Sequence, residues 1–245
     1  MLLLKGRGFV KTVKFDNPKY LGDPINIVRI FNEKEVPEMV VLDINATREG
    51  RDPNYDFLSN IAGDCFMPLS YGGGLSRLDQ IIKVLSIGFE KVVLNAASVE
   101  NPGLIKEASD LFGSQSIVVC MDIRKSMFGK HEVYIRNGGT ATKMNPVDHA
   151  KNVERMGAGE IIVNSIDRDG TMIGYDVDLI SKVSRNVSIP VLASGGAGNL
   201  DHFREAVETG GASALVAGSM FVFHGKHRAV LINYPETNIL KNYLR

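Results

Sequence analysis

The chain repeats its own landmarks after a fixed interval of 122 residues, about half of its length of 245. The matched pairs are Glu38 and Glu160, Ile44 and Ile166, Pro68 and Pro190, Gly73-Gly74 and Gly195-Gly196, Leu78-Asp79 and Leu200-Asp201, and Gly88 and Gly210. An offset that stays constant over roughly fifty positions indicates a duplicated structural unit. It predicts two homologous halves, about residues 1–114 and 115–245.

Short apolar runs alternate with amphipathic segments along the chain. The strand-like runs are Leu2–Leu4, Met39–Ile44, Met67–Tyr71, Lys91–Leu94, Ser116–Met121, Glu160–Asn164, Pro190–Ala193 and Ser213–Ala217. Continuous apolar runs are typical of parallel strands that are buried on both faces. Eight strand–helix alternations in a chain of this length predict an α/β fold, a (βα)8 TIM barrel made of two half-barrels in one domain, residues 1–245. An open doubly wound sheet is the alternative, and it lacks the GxGxxG turn after an early strand.

Composition excludes several classes of function. Lys plus Arg and Asp plus Glu number 28 each, so the formal net charge is zero and we expect no nucleic-acid partner. The chain contains no apolar run of about 18 residues, so we expect no membrane span, and its first residues lack the basic segment of a signal peptide. Cys65 and Cys120 lie in apolar contexts, which is typical of free thiols in a cytoplasmic protein. The histidines show no zinc-ligand spacing with them, so we expect neither a metal nor another cofactor.

Two glycine pairs stand where strands of the predicted barrel end. Gly73 and Gly74 lie in "SYGGGLSR", and Gly195 and Gly196 lie in "SGGAGN". Barrel active sites lie at the carboxyl ends of the strands, and glycine there lets backbone N–H groups approach an anion. Plain tight turns are the alternative interpretation of each pair.

The next strand of each half also ends in small residues, Asn95-Ala96-Ala97 in one half and Ala217-Gly218-Ser219 in the other. By the repeat, these two triplets occupy the same place. Each glycine pair and its small-residue neighbour then form a cup for a phosphate group. Two cups predict a long, bisphosphate-like small-molecule substrate that is held at both ends.

Acidic and basic residues stand between the predicted cups. Asp122 ends the fifth strand and is a natural general acid or base at a barrel mouth. Asp43 ends the second strand, and Asp169-Gly170 follows the sixth, where a plain turn is the alternative. Lys11 lies in a long basic loop after the first strand, which could close over an anionic ligand, although an ordinary solvated lysine is equally expected.

A second set of charges stands at the opposite ends of the strands. Glu38, Lys91 and Glu160 begin the second, fourth and sixth strands. A structural layer of ion pairs at the bottom of the barrel is the common role of such residues. A gate into the barrel axis is the sharper hypothesis.

These motifs resemble those of the HisF family, the cyclase subunit of imidazole glycerol phosphate synthase. The resemblance covers residues 2 to about 223 and depends on "FGSQSIVVCMD", "GAGEIIVNSIDRDGTMIGYD", "PVLASGGAGNLDHF", "LNAASVENP" and "LDINAT". It implies a barrel of two half-barrels that binds a HisH-type glutaminase at its bottom face. It also implies that ammonia passes up the barrel axis and reacts with the bisphosphate PRFAR to give imidazole glycerol phosphate and AICAR.

The resemblance also implies roles for single residues. Asp122 is similar to one catalytic aspartate of the family. Glu38, Lys91 and Glu160 match three members of its charged gate. Substrate or phosphate positions fall on Lys11, Asp43, Ser70, Gly73, Gly74, Asn95, Ala96, Asn164, Asp169, Gly170, Gly195, Gly196, Gly218 and Ser219.

Two departures from the family pattern leave the reaction open. The family's first strand ends in a catalytic aspartate within a "CLDV"-like motif, and Leu3 stands at that position here. The chain is expected to begin partway into the first strand, without the upstream arginine that is the fourth gate residue of the family, so that either the start is truncated or the strand is short. "SYGGG" and the tail "FHGKHRAVLINYP" are more similar to HisF paralogues found with surface-polysaccharide genes.

Three alternatives to the standard cyclase follow. The paralogue would deliver ammonia for the conversion of an acetamido to an acetamidino group on a lipopolysaccharide sugar, and Leu3 favours it. A non-catalytic activator of the glutaminase would need only the bottom face, and the retained Asp122 argues against it. A HisA-type sugar isomerase shares the fold and the cups but also needs two aspartates at the mouth.

Overall fold

The computed structural model describes residues 1–126 and 129–243, with strands and helices in alternation. The strands are β1 (Leu2–Lys5), β2 (Gly8–Val13), β3 (Asp16–Gly22), β4 (Met39–Asp43), β5 (Leu69–Gly72), β6 (Lys91–Leu94), β7 (Ile117–Lys125), β8 (His131–Ile135), β9 (Thr140–Ala141), β10 (Glu160–Ser165), β11 (Val191–Ser194), β12 (Ala214–Leu215), β13 (Phe223–His224) and β14 (Ala229–Val230). The helices are α1 (Pro24–Glu33), α2 (Ala46–Glu49), α3 (Tyr55–Gly63), α4 (Leu78–Ser86), α5 (Ala96–Glu100), α6 (Gly103–Phe112), α7 (Pro146–Arg155), α8 (Val177–Ser184), α9 (Leu200–Glu208), α10 (Ser219–Val222) and α11 (Thr237–Tyr243).

Eight parallel strands curl into the predicted barrel. Their order is β1-β4-β5-β6-β7-β10-β11-β12, and each of the eight overlaps one of the predicted apolar runs. Between β12 and β1 the backbone link is a hydrogen bond of 2.7 Å from the Met1 amino group to the Ala217 carbonyl oxygen. An apolar cleft of about 460 Å³ runs along this seam. The (βα)8 fold expected from the sequence is therefore confirmed.

Helix starts repeat between the halves at the predicted interval of 122 residues. Asp23 caps α1 with φ −69° and ψ 132°, and Asn145 caps α7 with φ −71° and ψ 132°. Asn54 caps α3 by accepting from a backbone N–H three residues on, and Asp176 caps α8 in the same way. A side-chain oxygen at this position satisfies one of the free N–H groups of the first helical turn. The two half-barrels thus share their turns as well as their strands.

The interval changes at the last strand of the second half. Ser70 pairs with Lys91, whereas Leu192, which is 122 residues after Ser70, pairs with Ala214. Asn95 therefore corresponds to Gly218, and the predicted equivalence of Asn95 with Ala217 is wrong by one residue. In the turn before this strand, the first half has Gly88 at φ 108° and the second half has Gly211 at φ 67°, so the interval is already one residue longer there. The extra residue therefore lies in the turn before the strand.

Each half inserts an antiparallel hairpin after its first strand, β2–β3 in one half and β8–β9 in the other. The segment around Lys11, predicted to be a loop, is the first of these hairpins, and Lys11 itself is buried in β2. The hairpin tips approach each other over the carboxyl ends of the strands, since a Cβ on Gly138 would lie 3.1 Å from the Phe15 ring. The two hairpins therefore cover part of the barrel mouth.

Residues 1–126 and 129–243 include no helix that is long and apolar enough to cross a membrane. Within the same ranges, the His, Cys, Asp and Glu side chains form no group of three or more that could bind a metal ion.

A hydrogen-bonded pair of largely buried side chains ties the second hairpin to α8. The His131 Nε2 atom lies 3.3 Å from the Asp176 Oδ2 atom, and both side chains are about one-tenth exposed. Burial alone would raise the pKa of Asp176, but the hydrogen bonds from His131 and from the Leu179 N–H outweigh it and lower the pKa from 3.8 to about 2. Asp176 thus stabilises the fold in its charged form.

Stability should depend on pH through Asp176 but not through Asn54, which caps the equivalent helix. The folded state lowers the pKa of Asp176, so its contribution of about 2 kcal/mol is present above about pH 4 and is lost as the pH falls towards 2. Asp176→Ala should therefore destabilise most at neutral pH, and Asn54→Ala should cost about 1 kcal/mol at every pH. Urea unfolding between pH 2 and 7 measures both, and parallel pH profiles for the two variants would contradict the assignment.

Candidate active site

Two cavities open at the carboxyl ends of the strands, one in each half. The larger, of about 100 Å³, is lined by both the Gly73-Gly74 turn and Asp122. The smaller, of about 20 Å³, is lined by the Gly195-Gly196 turn and Ser219. Asp169 lines both cavities. The two predicted cups therefore lie at one end of the barrel and meet at a shared carboxylate.

The first cup is built from backbone that only glycine permits. Gly73 has φ 120° and Gly74 has φ 72°, in the left-handed region. A Cβ on Gly73 would collide with the Asp43 carbonyl oxygen, and one on Gly74 would lie 2.7 Å from the Arg51 carbonyl oxygen. Asn95 and Ala96 complete the lining of this cavity. The glycines thus bring the backbone as close to the cavity as a turn allows.

The second cup repeats this backbone with different side chains. Gly195 has φ 85° and Gly196 has φ 111°. A Cβ on Gly195 would lie 2.6 Å from the Ser165 carbonyl oxygen, which corresponds to the Asp43 carbonyl oxygen of the first half. The hydroxyls of Ser194 and Ser219 are buried in the described structure without a hydrogen-bond partner. Buried hydroxyls without partners are expected where a polar ligand supplies them.

Lys11 gives the second cup a buried positive charge. Its side chain is 3% exposed, and among the described residues no carboxylate oxygen lies within 4.0 Å of its ammonium group. A Cβ on Gly218 would lie 2.8 Å from the Lys11 Nζ atom, so glycine leaves the room that the ammonium group fills. A buried cation without an ion-pair partner is costly unless a ligand balances it. The arrangement fits an anion in the second cup.

Asp122 lies on the barrel axis with its carboxylate in the larger cavity. Asn164 donates to its Oδ1 atom at 2.8 Å, and Asn95 donates to its Oδ2 atom at 3.3 Å. Burial raises the pKa of Asp122 from 3.8 to about 7, the Asn164 hydrogen bond opposes this, and the nearby Asp169 carboxylate adds to the rise. A carboxyl group with this pKa can both accept and donate a proton near neutral pH. Asp122 is therefore suited to general acid–base catalysis.

The other predicted mouth residues are more firmly bound to the protein. Asp43 accepts two hydrogen bonds from Arg51, at 2.9 and 2.8 Å, and two from backbone N–H groups, so its charge is balanced. Asp169 accepts from the Thr12 hydroxyl at 3.1 Å. Gly170 packs against the Thr12 carbonyl oxygen, which leaves no space for a Cβ. These residues shape the mouth through fixed contacts.

Asn164 lies beside Asp122 and has a free acceptor. Its side chain is 2% exposed and lines the larger cavity. The amide nitrogen is used by Asp122, while the Oδ1 atom is buried without a partner in the described structure. The cavity around Asp122 therefore offers acceptors to a ligand that brings N–H or O–H groups.

Leu3 occupies the place in the first half that Asp122 occupies in the second. Leu3 pairs with Leu42, and Asp122 pairs with Asn164, which is 122 residues after Leu42. Both residues line the larger cavity, and Leu3 is 7% exposed. The frame of the barrel therefore provides two symmetric positions for an acid–base group, and one of them holds a side chain that cannot transfer a proton.

A charged ring lies at the opposite end of the barrel. The Lys91 ammonium group lies 2.9 Å from Glu160 and 3.3 Å from Glu38, and these side chains are roughly one-fifth to one-third exposed. Ser70 donates to Glu38 at 3.0 Å. The family resemblance implies that Ser70 lies at the mouth with the phosphate residues. The structure corrects this, because Ser70 is the second residue of β5 and so faces inwards near the amino ends of the strands.

Buried apolar side chains form a cluster along the axis between this ring and Asp122. They are Val40, Val93, Val118, Cys120, Ile162, Leu192 and Val216. Burial raises the pKa of the Cys120 thiol, so this residue stays uncharged. The axis thus passes from a charged ring through an apolar section to a carboxylate.

No sequence motif identifies several of the residues that form the mouth. Arg51 and Thr12 stand in loops or strands without a motif, and only the tertiary structure brings them to Asp43 and Asp169. Ser194 directly precedes the Gly195-Gly196 pair, so its place in "LASGGAG" was a usable signal.

Comparison with known proteins gives one family and several close relatives. Residues 2–228 match the family model described as "Histidine biosynthesis protein". The chain is 51% identical over 239 residues to the provisionally named imidazole glycerol phosphate synthase subunit hisF2 of Pseudomonas aeruginosa, which covers 98% of this chain and 95% of that protein. It is 48% identical over 236 residues to a provisionally named subunit HisF of Leptospira borgpetersenii, covering 96% and 93%. It is 44% identical over 245 residues to a provisionally named subunit hisF3 of Vibrio vulnificus, covering 100% and 94%.

Removal of the Lys11 charge should weaken anion binding in the second cup. Lys11→Met removes a buried ammonium group and keeps an apolar stem of similar length. We expect at least about tenfold weaker binding of inorganic phosphate, which corresponds to about 1.4 kcal/mol. Thermal stability without phosphate should not fall, because the buried charge has no ion-pair partner among residues 1–126 and 129–243.

Isothermal titration with inorganic phosphate measures this effect, with Lys106→Met as the control. Lys106 is exposed on α6 and pairs with Asp110. Phosphate binding that is equally strong in Lys11→Met and in the unaltered chain would show that Lys11 does not serve an anion site.

Proposed function

The chain belongs to the histidine biosynthesis protein family, within its HisF-like branch, and from this premise we propose that it is the synthase subunit of a glutamine amidotransferase. It uses ammonia from a HisH-type glutaminase and holds a substrate with two anionic ends between its two cups. The observation that carries the proposal is the buried Asp122 carboxylate, which lies on the barrel axis and lines the cavity of the first cup. The family reaction is the conversion of PRFAR to imidazole glycerol phosphate and AICAR.

The two cups would bind the two phosphates of PRFAR in different ways. The first offers the backbone of the Gly73-Gly74 turn with Asn95 and Ala96. The second offers the Gly195-Gly196 turn, free serine hydroxyls and the Lys11 charge. Because the second cup has the buried cation, it is expected to bind its phosphate more tightly and to fix the direction in which the substrate lies.

Asp122 would handle the protons of the reaction between the cups. When ammonia adds to the substrate carbonyl carbon, the new C–N bond leaves an excess proton on nitrogen, and the carboxylate accepts it. The same group, now protonated, gives this proton to the alkoxide oxygen, which becomes a hydroxyl, and a second transfer of a proton from nitrogen to that hydroxyl releases water and leaves an imine. A pKa of about 7 suits both steps at neutral pH. Asn164 and Asn95 hold the carboxylate in place through the whole cycle.

The opposite face is suited to the delivery of ammonia. The Glu38–Lys91–Glu160 ring marks the entrance of the axis, and the apolar section above it would pass a small neutral molecule. Phe66 is 88% exposed in the loop just before β5, at the same end of the barrel as the ring. A large aromatic side chain left in solvent is a typical anchor of a protein interface. This face would dock the glutaminase.

A second candidate is favoured by Leu3. In the first half, Leu3 takes the position that corresponds to Asp122, so the site has one acid–base group on a frame built for two. The chain would then deliver ammonia, with a separate amidotransferase-like protein, for the conversion of an acetamido group on a surface-polysaccharide sugar to an acetamidino group. The loss of one carboxylate from an acid–base pair costs about 10²- to 10⁴-fold in rate. This loss falls on the standard cyclase reaction, in which the family uses both carboxylates.

Turnover of PRFAR with an ammonium salt tests the first proposal. The rate, corrected for free ammonia, should rise with pH through an apparent pKa near 7, because the carboxylate form of Asp122 is the base. Asp122→Asn should lower it by about 10²- to 10⁴-fold and remove that limb of the pH profile. Asp110→Asn, on the outer helix α6, is the control and should change neither.

Other outcomes decide between the alternatives. No turnover of PRFAR, together with stimulation of glutaminase activity in a HisH-type partner, would rule out the standard cyclase. Retained turnover in Asp122→Asn would remove Asp122 from the mechanism.

Leu3→Asp separates the two candidate reactions. If the site is a cyclase that lacks one carboxylate, the substitution should raise PRFAR turnover by about 10²-fold or more, since it restores the symmetric acid–base pair. If the natural substrate is an acetamido sugar, PRFAR turnover should stay low, and ammonia-dependent modification of that sugar should fall. Leu3→Asn, which brings a polar group of the same size without an ionisable proton, is the matched control and should not raise PRFAR turnover.

A further inference from the structure

A buried histidine and serine lie behind the first cup, and neither touches its cavity. His149 lies on α7 and is 3% exposed, and Ser98 lies on α5 and is 2% exposed. The His149 Nε2 atom is 3.1 Å from the Ser98 Oγ atom. The acid–base chemistry assigned to Asp122 uses neither residue directly. Two polar side chains in the core therefore need another explanation.

The direction of the hydrogen bonds leads from this pair to Asn95. The Ser98 hydroxyl donates to the Asn95 carbonyl oxygen at 2.7 Å, and the Ser98 backbone N–H donates to the same oxygen at 3.0 Å. Since the hydroxyl proton is used there, the Oγ atom accepts from the Nε2–H group of His149. This leaves the His149 Nδ1 atom as an acceptor, buried without a partner in the described structure. Burial lowers the pKa of His149 to about 4, so the ring is neutral at physiological pH and stays a donor to Ser98.

Asn95 carries the contact onwards to the catalytic carboxylate. Its backbone has φ −124° and ψ −83°, outside the helical region, at the junction of β6 and α5. Its side-chain nitrogen donates to the Cys120 carbonyl oxygen at 2.9 Å and to the Asp122 Oδ2 atom at 3.3 Å. The backbone of Asn95 must be fixed for its amide to reach both acceptors. Ser98 supplies that fixation, and His149 fixes Ser98.

The duplicated fold contains its own control for this pair. The position that corresponds to His149 in the first half is Ile27 on α1, by the interval of 122 residues that the helix caps obey. The position that corresponds to Ser98 in the second half is Phe221, by the interval of 123 that the fourth strand obeys. Both are apolar, so the fold packs this junction without polar groups in its second copy. The polar pair is present only on the side of the barrel whose cup reaches Asp122.

We propose that His149 and Ser98 are positioning residues that hold Asn95 so that its amide group points at the Asp122 carboxylate. The consequence for catalysis rests on the proposed function, but the effect on the carboxylate itself does not. Loss of the pair should let the Asn95 amide drift from Asp122 and leave the carboxylate with Asn164 as its main donor. The other titratable groups that act on Asp122 are the Asp169 carboxylate, in the loop after β10, and the uncharged Cys120 thiol, which donates to it at 3.9 Å from the same strand, and neither is changed by this loss.

The titration of Asp122 tests the proposal without any assay of turnover. Carbon-13 NMR of carboxyl-labelled aspartate follows its ionisation in the full chain, and Asp122→Asn assigns the signal. A donor to the carboxylate favours the charged form, so Ser98→Ala and His149→Ile should each raise the measured pKa by about 0.5. His149→Gln keeps an Nε2 donor and should restore the value of the unaltered chain. Asn95→Ala removes the amide itself and should cause a rise at least as large.

A matched control separates positioning from general loosening of the fold. Ser184→Ala removes a part-buried serine hydrogen bond of the same length, 2.7 Å, from the Ser184 hydroxyl to the Gly210 carbonyl oxygen at the other end of the barrel, and it should leave the Asp122 titration unchanged. If His149→Ile does not fold, Ser98→Ala alone carries the test. An Asp122 titration that is unchanged in Ser98→Ala or His149→Ile would overturn the proposal, whether or not Asn95→Ala shifts it. The proposal would also be overturned if the Asp122 pKa rose as much in His149→Gln as in His149→Ile.

Where turnover can be measured, the positioning role predicts a specific pattern. Ser98→Ala and His149→Ile should lower kcat more than they raise KM, since they disturb the reacting carboxylate rather than a binding contact. An equal loss of kcat in Ser184→Ala would point to a structural effect and contradict the proposal. If PRFAR is not turned over but the Asp122 pKa rises in Ser98→Ala and His149→Ile as expected, the result counts against the proposed reaction and not against the positioning pair.

Discussion

The hydrogen-bond register between parallel strands fixes the height of every inward-facing side chain, and the chemistry of the barrel depends on it. Side chains alternate along a strand, so inward-facing residues are two apart and form layers across neighbouring strands. Along β10 these residues are Glu160, Ile162 and Asn164, which belong to the charged ring, the apolar axis and the mouth in turn. A slip of one residue would turn all three towards the outer helices and separate Asn164 from Asp122. The register of the strands therefore sets the positions of the charged ring, the apolar axis and the acid–base group together.

A duplicated frame carries a site that is not symmetric. The helix caps Asp23 and Asn145 have nearly the same dihedral angles, and the turn glycines have positive φ in both halves, because these residues serve a backbone that is duplicated. Side chains that face the ligand have diverged. Asp122 stands opposite Leu3 in the symmetric pair of strand ends, and the buried charge of Lys11 serves one cup only. Symmetry thus explains why two similar cups face one mouth, and the divergence of the side chains makes the two cups chemically different.

Much of this arrangement could be predicted from the sequence, and the failures have physical causes. The buried strands were readable because both faces are covered, which leaves continuous apolar runs. The equivalence of Asn95 with Ala217 was wrong because one residue is inserted in the turn before β12, where no core contact forbids it. The family resemblance implies a place at the mouth for Ser70, and this is wrong because Ser70 is the second residue of β5 and contacts Glu38 in the charged ring. The hairpin around Lys11 was predicted to be a loop. Its strands contain lysines, so they lack the continuous apolar runs by which the buried strands are recognised.

The sequence by itself determined the family, the barrel, its two halves and the identity of the groups available for catalysis. These follow from local pattern and from repetition, and both are present in the order of the residues. Only the tertiary structure decided which groups meet. Asn164 donates to Asp122 across 42 positions of the chain, Thr12 reaches Asp169 across 157, and His149 acts on Asn95 through Ser98. Each of these contacts depends on how strands and helices pack against one another, and no spacing in the sequence records that geometry.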